Sequence, residues 1–228
     1  LTPTRELAAQ ISQNFVTYAK YHKLEMALLI GGVSAEEQQR KLARSVDVLI
    51  ATPGRLLDLF DRGSLLLNDA KFLVIDEADR MLDMGFIPDV EKIVGLLPSV
   101  RQTMMFSATM PSEIRNLANK FLINPKEISV APPSTTADTV KEYLVQASPI
   151  GKNKLLLTLL QNEQVENALI FCNKKVDVDL LDKYLRRHNF LSAALHGDMN
   201  QSIREETLAL FKAGNTKLLV ATDVAGRG

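Results

Sequence analysis

Phe72-Leu73-Val74-Ile75-Asp76-Glu77-Ala78-Asp79-Arg80-Met81-Leu82 is the stretch that decides how the chain is read. Four β-favouring apolar residues, enough for a short buried strand, run directly into two adjacent carboxylates. A helix bearing Met81 and Leu82 follows. A carboxylate at the C-terminal end of a buried strand can hold Mg²⁺, commonly through water. A neighbouring glutamate can then orient or deprotonate an attacking water. Asp76 and Glu77 fit those roles. Taken alone, they fit equally well an acidic strand-to-helix turn whose carboxylates favour the positive end of the helix dipole.

Outward from this point, short apolar strands alternate with helical patterns, the signature of an α/β protein with a parallel sheet and helices on its faces. On the N-terminal side a helix is expected from Arg5 to about Tyr21, with Leu7, Ala8, Ile11, Phe15 and Ala19 on one stripe. A strand over Met26–Ile30 then ends in Gly31-Gly32. Ser34 and Glu37 form a capping-box pattern for a helix reaching about Arg44. Val46–Ala51 reads as a strand ending in Thr52-Pro53-Gly54-Arg55, with Pro53 placed to open a helix and Gly63 to close it. On the C-terminal side, Thr103–Phe106 is a strand followed by Ser107-Ala108-Thr109, and Pro111 starts another helix.

Ala131-Pro132-Pro133-Ser134-Thr135-Thr136-Ala137-Asp138 breaks the pattern. Two prolines and small polar residues without apolar periodicity read as a linker. It divides the chain into a first domain over 1–130 and a second over 139–228. In the second, strands are expected near Glu142–Val145, Ala168–Phe171, Ser192–Leu195 and Lys217–Ala221. Helices are expected over Lys152–Gln161, Lys174–Arg187 and Asn200–Phe211. Val48–Thr52 before Gly54-Arg55 is echoed by Leu218–Thr222 before Gly226-Arg227, which suits two domains using the same strand edge, the one where open α/β sheets bind ligands.

Composition bounds the partners. The 228 residues carry 27 basic and 27 acidic side chains, so no global field draws the protein to a polyanion. Any nucleic-acid contact must come from locally placed arginines and backbone N–H groups. The single cysteine, Cys172, lies in an apolar run and reads as a buried thiol in a reducing compartment. His22, His188 and His196 show no zinc spacing. No apolar run approaches the roughly 20 residues needed to span a bilayer. The chain opens at Leu1 without Met or a signal-peptide pattern and stops at Gly228 in mid-motif, so both ends read as cut.

Residues 74–86, Val-Ile-Asp-Glu-Ala-Asp-Arg-Met-Leu-Asp-Met-Gly-Phe, resemble motif II of the DEAD-box ATP-dependent RNA helicases. Other stretches match that family in its own order across essentially the whole chain. Pro3-Thr4-Arg5-Glu6-Leu7-Ala8 resembles motif Ia, Gly31-Gly32 the glycine pair, Thr52–Arg55 motif Ib and Ser107–Thr109 motif III. Leu169–Phe171 resembles motif IV, Gln201 with Arg204 the Gln-x-x-Arg element, and Ala221–Gly228 motif V. The resemblance implies two RecA-like parallel-sheet domains in tandem, each truncated at the outer chain end.

It further implies ATP and Mg²⁺ as cofactors, with Asp76 holding the metal through water and Glu77 catalytic. Asp79, Ser107, Thr109, Asp223 and Arg227 would couple the ATP site to the interdomain cleft. Pro3, Thr4, Arg5, Gly32, Thr52, Pro53, Gly54 and Arg55 would bind RNA backbone from the first domain, with Gly197, Arg204 and Thr222 doing so from the second. Contacts to backbone imply little sequence specificity. Plainer readings compete at several positions: solvated helix-start arginines at Arg5 and Arg55, a surface pair at Arg204, and a hydroxyl cap before the Pro111 helix at Ser107 and Thr109.

One departure limits the expected activity. No Gly-x-x-x-x-Gly-Lys-[Ser/Thr] phosphate loop occurs in the 228 residues, and the arginine-rich motif VI is unmatched. By the resemblance these belong before Leu1 and after Gly228, so the chain as given is expected to lack ATPase activity. Two rival readings fit the same residues: a related DNA translocase, and a non-catalytic RNA-binding or scaffold module. The resemblance and the absence of a targeting pattern point to a cytoplasmic enzyme with no membrane partner.

Overall fold

The structure, a computed structural model, describes residues 1–130, 140–148, 151–162 and 165–222. The chain divides into two compact units, one built from residues up to Thr136 and the other from Ala137–Arg227. The expected linker 131–138 lies outside the described residues.

In the first unit β1 (Met26–Leu29) pairs in parallel with β2 (Val48–Ala51), and β3 (Phe72–Ile75) with β4 (Gln102–Met105). The chain's first two residues stitch these pairs together. Thr2 N–H donates to Ala51 O at 3.0 Å, the Leu1 amino group to Val74 O at 2.7 Å, and Asp76 N–H to Leu1 O at 3.0 Å. The C-terminal ends of β2 and β3 therefore share one edge.

Side chains alternate across these strands as the pleat requires. Ala27 and Leu29 join Ala51, Leu56, Leu59 and Ile93 beneath α3 (Pro53–Asp61) and α5 (Ile87–Leu96). Ile30 and Ile50 face the other way, onto Ala8 of α1 (Arg5–Tyr18), with Ile11 and Phe15 packed beside them. Helices thus cover both faces of this strand pair. A second cluster of Leu73, Ile75, Met81, Val90, Ile114 and Phe121 seats α4 (Ala78–Asp83) and α6 (Ser112–Phe121) on β3. Each fully buried leucine of this kind contributes on the order of 1.5–3 kcal/mol.

The caps follow the sequence in most places. Pro53 sits in the first turn of α3, and Gly63 follows that helix at φ 69°, a conformation open to glycine. Ser34 Oγ accepts from Glu37 N–H ahead of α2 (Ala35–Leu42), one arm of the expected box, while its hydroxyl donates to Glu36. Helix α1 stops at Tyr18 instead of Tyr21. Helix α5 has no counterpart in the pattern reading: Gly85, at φ 73°, ends the preceding turn and Pro88 opens a new helix within a few residues.

In the second unit, β5 (Ala168–Cys172), β7 (Leu218–Thr222) and β6 (Ser192–Leu195) form a parallel sheet in that order. β7 is central and buried along its whole length, which explains its unbroken apolar run. α7 (Lys152–Asn162) and α8 (Lys175–Arg187) pack Leu157, Leu160, Val178 and Leu185 on one face. α9 (Gln201–Lys212) packs Leu208 and Phe211 against Leu195 and Leu219 on the other.

The architecture is α/β, parallel sheets flanked by helices, of the RecA-like kind. The strand expected at Glu142–Val145 is absent: the segment forms no strand ladder among the described residues, and Tyr143 and Leu144 are exposed. A strand exists only through its ladder, so β-favouring residues without a partner stay irregular. Cys172 is half-buried instead of buried.

Candidate active site and nucleic-acid interface

β3 delivers Asp76 and Glu77 to its C-terminal end, and a sharp turn fixes them there. Glu77 caps α4 in the left-handed region, at φ 51° and ψ 54°, a conformation that costs a non-glycine residue about 1–2 kcal/mol. The turn is held by Glu77 N–H donating to Asp76 Oδ1 at 3.0 Å and Ala78 N–H donating to Phe106 O at 3.0 Å. The second bond pins the start of α4 to the end of β4, which brings Ser107 and Thr109 alongside.

Asp79 is the hub of this junction. Its Oδ2 accepts from Thr109 N–H at 2.9 Å and from Thr109 Oγ1 at 2.8 Å, and its Oδ1 accepts from Arg80 N–H at 3.0 Å. Asp79 N–H donates to Ser107 Oγ at 3.2 Å, and Ser107 Oγ donates on to Thr109 O at 2.7 Å. Ser107 and Thr109 therefore do not cap α6, which is preceded by Pro111 without a side-chain cap. Burial pushes the Asp79 carboxyl up, but the bonds from Thr109, Ser107 and Arg80 together outweigh it and hold it below its ordinary range.

A carboxyl depressed in the folded state lends stability that is complete above its unfolded value and disappears as pH falls through the folded one. Asp79→Ala is expected to lower stability by about 1–2 kcal/mol at pH 7, because two Thr109 donors lose their acceptor. The gap between variant and wild type should begin to narrow below about pH 4 and go on narrowing as pH falls through the depressed folded value. Urea unfolding at pH 7 and pH 3 measures both, and an equal gap at the two pH values contradicts the assignment.

For a metal, the donor set is sparse. No group of three or more His, Cys, Asp or Glu side chains among the described residues could hold an ion. Asp76, a single carboxylate at a strand end, is the residue that would hold Mg²⁺, an ion that keeps several waters and is held through one or two carboxylates plus phosphate oxygens.

The other expected residues of the first unit gather at the end of β1 and β2. Pro3 and Thr4 are buried, and Thr4 Oγ1 caps α1 by accepting from Leu7 N–H at 3.2 Å. Arg5 lies flat against Gly31: a Cβ built on Gly31 would sit 3.1 Å from Arg5 Nη2. Gly32 turns the loop at φ 79°. Thr52 precedes α3 without a side-chain cap bond, and Pro53 is buried behind it. A Cβ built on Gly54 would meet nothing within 4 Å, so the first turn of α3 is open. Arg55 is not a solvated helix-start arginine. Its side chain is 14% exposed, and Nη2 donates to Val33 O at 3.1 Å.

In the second unit Gly197 follows β6, Thr222 ends β7 and Arg204 lies in the first turn of α9, so the C-terminal sheet edge again collects the expected residues. Arg204 is 5% exposed, which excludes the surface-pair reading. At the end of β6 His196 Nε2 lies 3.2 Å from Asp179 Oδ1, and Lys175 pairs with Asp198. Asp223 and Arg227 lie outside the described residues. Sequence reasoning missed Gln38, which reaches into the glycine loop; its signal was a glutamine on the inward stripe of α2.

Strand-end carboxylates, parallel α/β units and arginine-lined strand-end loops define a RecA-like protein of the helicase kind. The DEAD/DEAH box helicase model matches residues 1–117, and the helicase conserved C-terminal domain model matches residues 151–228. The chain belongs to the DEAD-box helicase family. It is 41% identical, over its whole length, to the ATP-dependent RNA helicase RhlB of Pseudomonas putida, of which it spans 58%. It is 42% identical to the ATP-dependent RNA helicase DeaD of Buchnera aphidicola, spanning 38% of that protein.

Among solved structures it is similar to a DEAD box protein from the hyperthermophile Methanococcus jannaschii, at 38% identity and TM-score 0.55, covering all of this chain and 61% of that one. It is also similar to Saccharomyces cerevisiae Dbp5 bound to RNA and ADP BeF3, at 28% identity and TM-score 0.88, covering all of this chain and 58% of that one. Among the described residues no helix is long and apolar enough to cross a membrane.

Proposed function

We propose that the protein from which this chain comes is an ATP-dependent RNA helicase that grips RNA backbone and opens short duplexes locally, coupled to ATP hydrolysis. The observation carrying this reading is the shared edge of the first unit: Asp76-Glu77 at the end of β3, and the Arg5, Gly32 and Arg55 cluster at the ends of β1 and β2. Relatives named as ATP-dependent RNA helicases match the whole chain.

In this reading residues 1–130 form the first domain, 131–138 the connector and 139–228 the second. Asp76 would hold Mg²⁺ through water; bound nucleotide would supply the electrophilic phosphoryl group and the metal would neutralise its charge. Glu77 takes the proton of the attacking water. Asp79, Ser107 and Thr109 brace the turn that aims both carboxylates, and Asp223 and Arg227 serve the ATP side. Pro3, Thr4, Arg5, Gly32, Thr52, Pro53, Gly54 and Arg55, with Gly197, Arg204 and Thr222, line the RNA path. Backbone N–H groups at the starts of α1 and α3 and the arginine forks suit phosphates and ignore base identity.

RNA-stimulated ATP hydrolysis and the melting of a short duplex by the full-length protein test the reading. Hydrolysis stimulated by DNA and not by RNA would favour the translocase, and RNA binding without hydrolysis the scaffold. Arg55→Ala is expected to weaken RNA binding about tenfold for every sequence alike and to flatten the salt dependence by about 0.7 in log–log slope. A filter-binding salt titration reads both.

A further inference from the structure

We infer that Gln38 is a positioning residue that sets the nucleic-acid-binding loop Ile30–Val33. The inference deepens the reading above and rests on it. α2 is polar almost throughout, and its inward stripe is Ala35, Gln38 and Leu42 at helical spacing. Ala35 and Leu42 pack on the core as expected. Between them stands a glutamine, the helix's one buried residue, 4% exposed.

Gln38 Nε2 donates to Ile30 O at 2.9 Å, while its Oε1 is buried with no hydrogen-bond partner among the described residues. A buried amide with its acceptor unmet is a costly way to fill a helix stripe. What it provides is a hold on the carbonyl immediately before Gly31-Gly32. That completes a grip on the loop at three points: Gln38 on Ile30 O, the Arg5 guanidinium against Gly31, and Arg55 Nη2 on Val33 O.

Gly32 at φ 79° gives the loop its turn but no restraint. Both first-unit arginines in the RNA path are splinted on this loop, so its position aims both guanidinium forks. Gln38 acts one step back, through the loop, and its bond to Ile30 O does not reach Asp76 or Glu77. Its loss should therefore register in RNA affinity and leave the chemical step alone.

The test is RNA-stimulated ATP hydrolysis by the full-length protein carrying Gln38→Met, which keeps the length of the side chain and removes the donor. Losing one such bond is expected to raise the RNA concentration for half-maximal stimulation about five- to tenfold. kcat at saturating RNA and KM for ATP should stay unchanged. Gln38→Asn, one methylene too short to reach Ile30 O, should behave alike. Ile93→Val, a pure packing loss in the same unit, should lower the melting temperature without moving the RNA requirement.

An unchanged RNA requirement in Gln38→Met while Arg55→Ala weakens binding overturns the positioning role and leaves the RNA reading standing. An unchanged requirement in Arg55→Ala as well overturns both. An equal shift in Ile93→Val, or failure of both Gln38 variants to fold, makes Gln38 a stability residue and overturns the inference.

Discussion

Glu77→Gln in the full-length protein is expected to lower RNA-stimulated ATP hydrolysis by about 10²–10⁴-fold, the range a positioned general base contributes. The amide is nearly isosteric and leaves the backbone turn intact, so RNA binding in the presence of ATP should persist. Two geometric facts support the assignment. Glu77 is held at the strand end by bonds on both sides, Glu77 N–H to Asp76 Oδ1 and Ala78 N–H to Phe106 O. Its neighbours Asp79, Ser107 and Thr109 are committed to one another, and Asp76 and Glu77 are the carboxylates at the strand end itself. Steady-state hydrolysis with and without RNA decides the matter. Wild-type turnover by the variant would remove Glu77 from the mechanism and return it to a structural turn residue.

The purified chain of residues 1–228 is expected to turn over no ATP above background, with or without RNA. In their proposed roles Asp76 and Glu77 address a metal and a water, but the triphosphate itself needs a cradle of backbone N–H groups and a lysine. No Gly-x-x-x-x-Gly-Lys-[Ser/Thr] occurs in these residues. By the family resemblance the arginine that neutralises charge in the transition state belongs to a motif these residues do not match, and such a finger contributes about 10³–10⁵ in rate. Multiple turnovers by the 228-residue chain, against a mock purification as control, would show that its own residues hold the phosphates without such a loop.

Much of this was legible in the chain because local and global preferences agree. Phe72–Ile75 is a strand by propensity, by its apolar run and by the acidic stop after it, and β6 falls on Ser192–Leu195 as its pattern predicts. Misreadings arose where structure depends on distant partners. Glu142–Val145 carries strand chemistry but forms no ladder with the described residues. α5 was hidden because Gly85 and Pro88 look like one loop until a stop and a start are separated.

At the site, the residue types were visible and their engagements were not. Arg55 fits a surface cation by sequence and proves to be nearly buried on a carbonyl. Thr109 fits a cap and proves to be an Asp79 donor. Gln38 escapes notice because a glutamine among Glu36, Glu37 and Gln39 looks solvated unless helical phase is followed residue by residue.

With Glu77 in its proposed role, its left-handed backbone sets folding against chemistry at a single position. Selection for a comfortable turn alone would choose glycine or asparagine there, and the protein would gain about a kilocalorie per mole in resistance to unfolding. On the proposed role, a carboxylate in that conformation is a stability–activity trade-off. Any effort to harden this scaffold by consensus turn design or stability-guided mutagenesis will be drawn first to residue 77, where, on the role proposed for Glu77, a gain in the assay for folding would be a loss in the assay for work.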